Sequence, residues 1–135
     1  MTLLKQMSEC MKIKNWIHTV DSEKSIILFT ASNEIASLRF TFLIKESDNR
    51  IILLLSYERH CPEKYRQIMA DFVNRINYAI PIGFFAIDLT DGEVRYRHSA
   101  DVEGIEINEI FVDNFIRSSI TFCRLYYNPI QAVMN

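Results

Sequence analysis

The chain has 135 residues, 49% of them hydrophobic and 24% charged, which predicts one globular domain over residues 1–135 and excludes a disordered or low-complexity chain. Its formal net charge of −2 provides no basic footprint, so we expect neither nucleic acid nor a membrane as a partner. The N-terminal segment is too polar for a signal-peptide core, and no apolar run approaches the roughly 20 residues that a membrane span needs.

The number and spacing of the cysteines indicate the cellular compartment of the protein. The three cysteines, Cys10, Cys61 and Cys123, are widely spaced and form no Cys-x-x-Cys motif. An odd number without metal or redox spacing is typical of a reducing environment. We therefore expect a cytoplasmic protein with free thiols and no disulfide framework.

The first predicted element is a helix over residues 2–15. Leu4, Met7 and Met11 form an apolar stripe at helical spacing. Methionine repacks easily, so this stripe fits either core packing or an adaptable binding surface, and core packing is the simpler interpretation. Trp16 follows at a junction, where its large apolar area predicts a cover over the edge of the core.

Three strands are predicted next, over residues 25–30, 34–45 and 50–56, and their short connections predict an antiparallel meander. The second strand alternates along its length, whereas the first and third are apolar on both faces. A sheet with one covered face does not need two-sided apolar strands. Either helices cover both faces, or one face meets a partner.

A second helix and a hairpin follow. Pro62 suits the first turn of the helix, whose apolar stripe is one-sided, and Pro81 ends it. Two strands, over residues 83–88 and 93–99, are joined by an Asp-Gly turn in which Gly92 can adopt a positive φ.

The last helix is predicted from about Asn108, a good N-cap, to about Tyr127. Its apolar residues cover roughly 220° of the helical wheel, so we expect burial on two sides. The sheet covers one side, and the N-terminal helix, the tail at residues 130–134 or another chain covers the other. The residues predicted for a partner or dimer surface are Ile51, Leu53, Leu55, Val112, Ile116 and Ile120.

Candidate chemical sites are weak. His60-Cys61 lies near two glutamates, but nothing completes a zinc site. The carboxylates around Asp91 lack calcium-loop spacing and are explained by turn geometry. Basic residues of the sheet, including Arg39, Lys45, Arg95 and Arg97, could meet an acidic or phosphate partner, although cross-strand charge pairing also explains them. Nucleotide-binding and hydrolase motifs are absent, so we predict no enzyme, catalytic residue, metal or cofactor.

A set of short motifs carries a resemblance to a known family. They are Asn15-Trp16, Pro62-Glu63-Lys64 with Arg66, Phe72 with Arg75, Asn77-Tyr78, Ile82-Gly83, Phe85, Asp88, Asp91-Gly92-Glu93-Val94-Arg95-Tyr96, Asp101-Val102-Glu103-Gly104, Tyr126-Tyr127 with Pro129, and Ala132-Val133. Together they resemble the YbjN family of sensory-transduction-type bacterial regulators, most closely its cyanobacterial-type members. The order of predicted elements matches the type III secretion chaperone-like fold.

The fold class predicted is therefore α+β, in the order α-β-β-β-α-β-β-α, with a largely antiparallel five-stranded sheet packed by helices. The resemblance implies a chaperone-like or regulatory domain that binds another protein, and it implies a homodimer. It supplies no catalytic residues. Fold alone does not establish a function.

An alternative function is a small-ligand sensor. Its pocket would lie between the sheet and the last helix, lined by Phe111, Phe115, Phe122 and Tyr126. Such a sensor should be stabilised by a metabolite, whereas a protein-binding module should capture a partner protein.

Overall fold

The computed structural model describes residues 1–135 and places four α-helices and six β-strands along the chain. The helices are α1 (Leu3–Ile13), α2 (Arg66–Ala79), α3 (Glu109–Leu125) and α4 (Tyr127–Val133). The strands are β1 (Thr19–Asp21), β2 (Ile26–Ser32), β3 (Ser37–Lys45), β4 (Arg50–Ser56), β5 (Phe84–Ile87) and β6 (Val94–Asp101). Single 3-10 turns occupy Glu46–Asp48 and Glu63–Tyr65.

All six strands form one sheet in the order β1-β2-β3-β4-β6-β5, and every neighbouring pair is antiparallel. The α+β class and the antiparallel sheet are thereby confirmed, but the predicted count of five strands is wrong. The missing strand is β1, whose three residues are too few to show an alternating pattern.

One face of the sheet, the inner face, packs against the helices. Alternate residues of the central strands point to this side, including Ile27, Phe40, Phe42, Leu53 and Tyr96, all of which are at most 1% exposed. They join buried residues from all four helices in one apolar cluster. The core therefore lies entirely between the inner face and the helices.

The wide apolar arc of α3 is explained within the chain. Phe115 contacts Phe42 of the sheet, with ring centroids 6.0 Å apart, and α1 and α4 contact α3 from its other sides. In the tail, Ile130 and Met134 are also buried in the core. Helix α1 and the tail thus cover the second side of α3, and the arc needs no other chain.

Local capping residues define the start of α3 and the end of α1. The side chain of Asn108 accepts a hydrogen bond from the amide of Phe111, which confirms it as the N-cap of α3. After α1, Asn15 has φ +62°, and the amide of Trp16 donates to the carbonyl of Met11. This C-terminal motif turns the chain and directs Trp16 back onto the sheet, where its ring lies 6.1 Å from that of Phe29.

Candidate protein-binding surface

The opposite face of the sheet, the outer face, is apolar at its centre although no helix covers it. Its larger apolar residues are Ile26, Leu28, Leu43, Ile52, Leu54 and Phe84, which we call the outer patch. None of them belongs to the core cluster. Leu28 and Phe84 are 43% and 44% exposed, and Ile52 is buried by its neighbours on the sheet.

The strand register gathers these side chains into adjacent rows. Leu28 pairs with Thr41, Thr41 with Leu54, Leu54 with Arg97, and Arg97 with Phe84. In the next row, Leu43 pairs with Ile52. Residues that are far apart in the sequence therefore form one patch that crosses the sheet from β2 to β5.

The charges around the outer patch have a small positive excess. The strand alternation places five basic side chains on this face, and four carboxylates lie on it or at its hairpin end. The basic residues are Arg39, Lys45, Arg50, Arg95 and Arg97, and the acidic ones are Asp21, Asp88, Glu93 and Asp101. Arg95 forms an ion pair with Glu93 at 3.0 Å, and the hydroxyl of Ser56 donates to the same carboxylate. The outer face is therefore net positive, although the whole chain has a net charge of −2.

The six residues predicted for a partner surface lie elsewhere. Ile51, Leu53 and Leu55 point to the inner face, and Val112, Ile116 and Ile120 meet them from α3 or pack nearby. All six are at most 6% exposed. They form part of the monomer core, although Leu55 and Ile120 also line clefts at the surface. The three from β4 are buried because the odd-numbered residues of this strand face the helices and the even-numbered ones face outward.

The four aromatic residues predicted to line a ligand pocket are packed against other side chains. The ring of Phe115 stacks on His98 with centroids 3.7 Å apart, and Phe111 lies 5.9 Å from Phe115. Tyr126 meets Phe85 edge-on at 6.0 Å, and Phe122 is half-buried beside the core. None of the four lines the cleft at the β3–β4 end of the sheet.

That cleft, of about 640 Å³, lies where β3 and β4 separate at one end of the sheet. The β2–β3 ladder extends to Ser32–Ser37, but the β3–β4 ladder ends at Phe40–Leu55. Tyr57 and Tyr127 line the cleft together with Arg39, Glu58 and Arg59. Its lining mixes apolar and charged groups without a convergent set of catalytic side chains.

A comparison with known protein families shows which family the chain belongs to. The sequence profile described as "YbjN: Putative bacterial sensory transduction regulator" matches residues 5–132. The chain belongs to the YbjN family. No curated protein matches it.

Two solved structures share the fold of this YbjN chain. The ExsC–ExsE complex contains a chain with a TM-score of 0.65 and 14% sequence identity, over 93% of this chain and 94% of that one. The HopA1–SchA chaperone–effector complex contains one with a TM-score of 0.58 and 13% identity, over 89% and 88%. These identities are low enough that the likeness concerns the fold alone. It confirms the predicted chaperone-like layout of helices and strands.

The motif residues on which the YbjN resemblance rested hold the β5–β6 hairpin in place. Gly92 has φ +82°, its carbonyl accepts from the amide of Cys61 at 2.8 Å, and a Cβ at this position would collide with the Cys61 carbonyl. The guanidinium of Arg66 donates to the carbonyls of Cys61 and Thr90, both at 3.0 Å. These contacts attach the hairpin turn to the loop before α2.

A second group of motif residues fastens the hairpin strands. The amide side chain of Asn77 both donates to and accepts from the backbone of Phe85, each at 2.8 Å, and so satisfies the free edge of β5. Gly83 has φ +70°, and the phenol of Tyr96 occupies the space where a Cβ would lie. We call these and the Gly92–Arg66 interactions the hairpin contacts.

The YbjN chain provides little for catalysis. Burial raises the pKa of the Cys61 thiol, although Arg66 and Arg59 act in the opposite direction, so the thiolate is disfavoured. The neighbouring His60 is engaged with the carbonyl of Asp91 at 3.1 Å. No three His, Cys, Asp or Glu side chains come together as metal ligands. None of the helices combines the length and the hydropathy that a membrane span requires.

Proposed function

We propose that this protein is a non-enzymatic, chaperone-like or regulatory module that works in the cytoplasm and binds another protein through its outer patch. The observation that supports this is the exposure of Leu28 and Phe84 on a sheet face that no helix covers. Apolar residues gathered in one exposed patch, rimmed by charged side chains, are typical of protein-binding sites. The three free cysteines are compatible with a reducing compartment.

The charges on the outer face narrow the class of partner. A partner that presents apolar side chains flanked by carboxylates would complement both the patch and its basic surroundings. The likeness to chains found in protein complexes, one of them a chaperone–effector complex, is compatible with such a role. A regulatory role would follow if binding sequestered that partner.

A homodimer, which the family resemblance implies, would use the same patch twice in an isologous contact. Two net positive faces repel, so self-association should strengthen as salt screens the charges. Binding of an acidic partner should instead weaken with salt. Light scattering and partner binding measured across the same salt series therefore separate the two cases.

The test is affinity capture with a double variant, Leu28→Ser with Phe84→Ser. Both side chains are exposed, so the free energy of unfolding should change by no more than about 1 kcal/mol. The matched control is Ile68→Ser, an equally large residue that is 57% exposed on α2, away from the patch. Mass spectrometry of proteins captured from native lysate should show partners retained by the control and lost by the double variant. Equal retention by both would refute binding through the outer patch.

A further inference from the structure

A groove of about 370 Å³ lies along the free edge of β2, apart from the outer patch. Strand β1 pairs only with Ile26–Leu28, so β2 continues past it without a neighbour on that side. The opposite wall is α3. The groove is lined by Trp16, Thr30, Ala31, Ser32, Arg117, Ile120, Thr121 and Arg124.

Arg117 and Arg124 of α3 both line this groove and carry hydrogen-bond donors. Arg124 donates through Nη2 to the carbonyl of Ser32 at 3.2 Å, and its Nε is buried without any hydrogen-bond partner. Arg117 donates through Nε to Asp113 at 2.8 Å, and its two terminal nitrogens meet no acceptor in the chain. Its side chain is 66% exposed. Both guanidinium groups thus keep unused donors, and guanidinium geometry suits a carboxylate.

The carboxylate that pairs with Arg117 is already engaged. Asp113 accepts from Arg117 through Oδ2 and from the indole of Trp16 through Oδ1 at 2.9 Å. Although burial acts to raise the pKa of Asp113, these hydrogen bonds lower it, so the group stays ionised. It neutralises one arginine. The groove therefore retains a positive charge that no side chain of the protein balances.

The backbone on the other wall points to an extended ligand. Thr30 faces Arg39 across the β2–β3 ladder. At the two ends of this ladder the amide of Ile44 donates to the carbonyl of Ser25 and the amide of Asn33 donates to the carbonyl of Ala36, so the odd-numbered residues on the β2 side bond to β3. Because backbone groups alternate sides along an antiparallel strand, the N–H and C=O of Thr30 point to the open edge. An edge of this kind accepts the backbone of an extended polypeptide.

We propose that this groove binds an extended, acidic polypeptide segment, whose backbone pairs with the β2 edge at Thr30 and whose carboxylates meet Arg117 and Arg124. The arginines supply charge-assisted hydrogen bonds, and the free edge distinguishes a polypeptide from a small anion. The inference does not depend on the outer patch, whose residues line no part of the groove.

Trp16 is the only tryptophan in the chain, so its fluorescence reports on the groove directly. The probe is a short capped peptide with Glu at alternate positions and Thr between them, and its matched control carries Gln in place of Glu. The Glu peptide should change the Trp16 emission saturably. Binding should weaken about tenfold or more with the Gln peptide, or with the Arg124→Gln variant. Arg75→Gln, an exposed arginine on α2, should bind the Glu peptide unchanged.

Three results would overturn the proposal: no saturable emission change, equal affinity for the Glu and Gln peptides, or saturation by inorganic phosphate at the same concentration as the peptide, which would show a small-anion site only. If Arg124→Gln unfolds on loss of its bond to Ser32, the exposed Arg117→Gln replaces it, with the same expected loss. Thermal unfolding of each variant establishes that the folded protein is measured.

Discussion

The β5–β6 hairpin and the outer patch belong to the same sheet, yet their residues are constrained for different reasons. In the hairpin, Gly92 and Asn77 each satisfy a backbone group or a steric limit within the chain, so folding accounts for their identity. In the outer patch, Leu28 and Phe84 are partly exposed and contribute nothing to the core cluster. Folding explains the residues of the hairpin but not the exposed apolar residues of the outer patch, so the outer patch is the better candidate for function.

The largest expected effect comes from Gly92→Ala, which attacks the hairpin at its turn. The substitution forces a side chain into a positive-φ conformation and against the Cys61 carbonyl, so we expect a loss of about 3 kcal/mol or more in the free energy of unfolding. Urea denaturation measures it. Gly104→Ala is the control, because φ there is +71° but no atom lies within 4 Å of the added Cβ. Equal losses in both variants would disprove the role of the Cys61 contact.

A smaller effect is expected for Asn77→Ala, which removes both side-chain bonds to Phe85. The backbone N–H and C=O of that residue then lose their partners at a part-buried edge, at a cost of about 1–3 kcal/mol. Amide hydrogen exchange should accelerate at Phe85 in particular. Asn74→Ala, an exposed position on the same helix, should leave both the stability and the exchange rate nearly unchanged, and a comparable loss there would contradict this assignment.

The effect that is smallest at neutral pH, and that grows only on acidification, concerns His98 on the inner face of β6. Burial lowers the pKa of His98 to about 4, and its Nδ1 lies 3.1 Å from the hydroxyl of Ser119. In the folded state His98 is therefore neutral above about pH 4, whereas in the unfolded chain it has its ordinary pKa of 6.5. Between these two pKa values the unfolded chain binds more protons than the folded protein. Stability should therefore fall as the pH drops from about 6.5 to about 4.

Thermal unfolding across that pH range checks this expectation. The His98→Gln variant has no group that titrates at this position, so its melting temperature should decline less steeply than that of the unmodified protein. His60→Gln, at an exposed loop position, is the control and should follow the unmodified protein. If the melting temperature of His98→Gln declines with pH as steeply as that of the unmodified protein, other groups cause the pH dependence.

Local sequence signals predicted most of the fold, because they act within a few residues. The Asn108 cap, the Asp-Gly turn and the alternation of β3 are all of this kind. The hairpin contacts were not predictable in the same way. Turn geometry explains a glycine at position 92, but its approach to Cys61 depends on how α2 lies against the hairpin.

An uncovered sheet face was one of the two predicted possibilities, but its residues in β4 were assigned wrongly for a specific physical reason. Strand β4 is apolar at consecutive positions, so its own pattern cannot indicate which residues face the helices. The signal lay in β3, whose polar side includes Arg39 and Lys45. Because Lys45 pairs with Arg50 across the short turn, the register assigns Ile52 and Leu54 to the same side as these polar residues.

The sheet order also has a consequence for synthesis of the chain. Strand β4 pairs with β6, from Arg50–Asp101 to Ser56–Arg95, although α2 and β5 separate them in the sequence. A nascent chain that ends after β4 has one unpaired edge on a strand that is apolar on both faces. Such edges recruit other strands, so the interval before β6 emerges from the ribosome is when this protein is most prone to aggregate. Helper proteins that act on nascent chains would have the greatest effect during that interval.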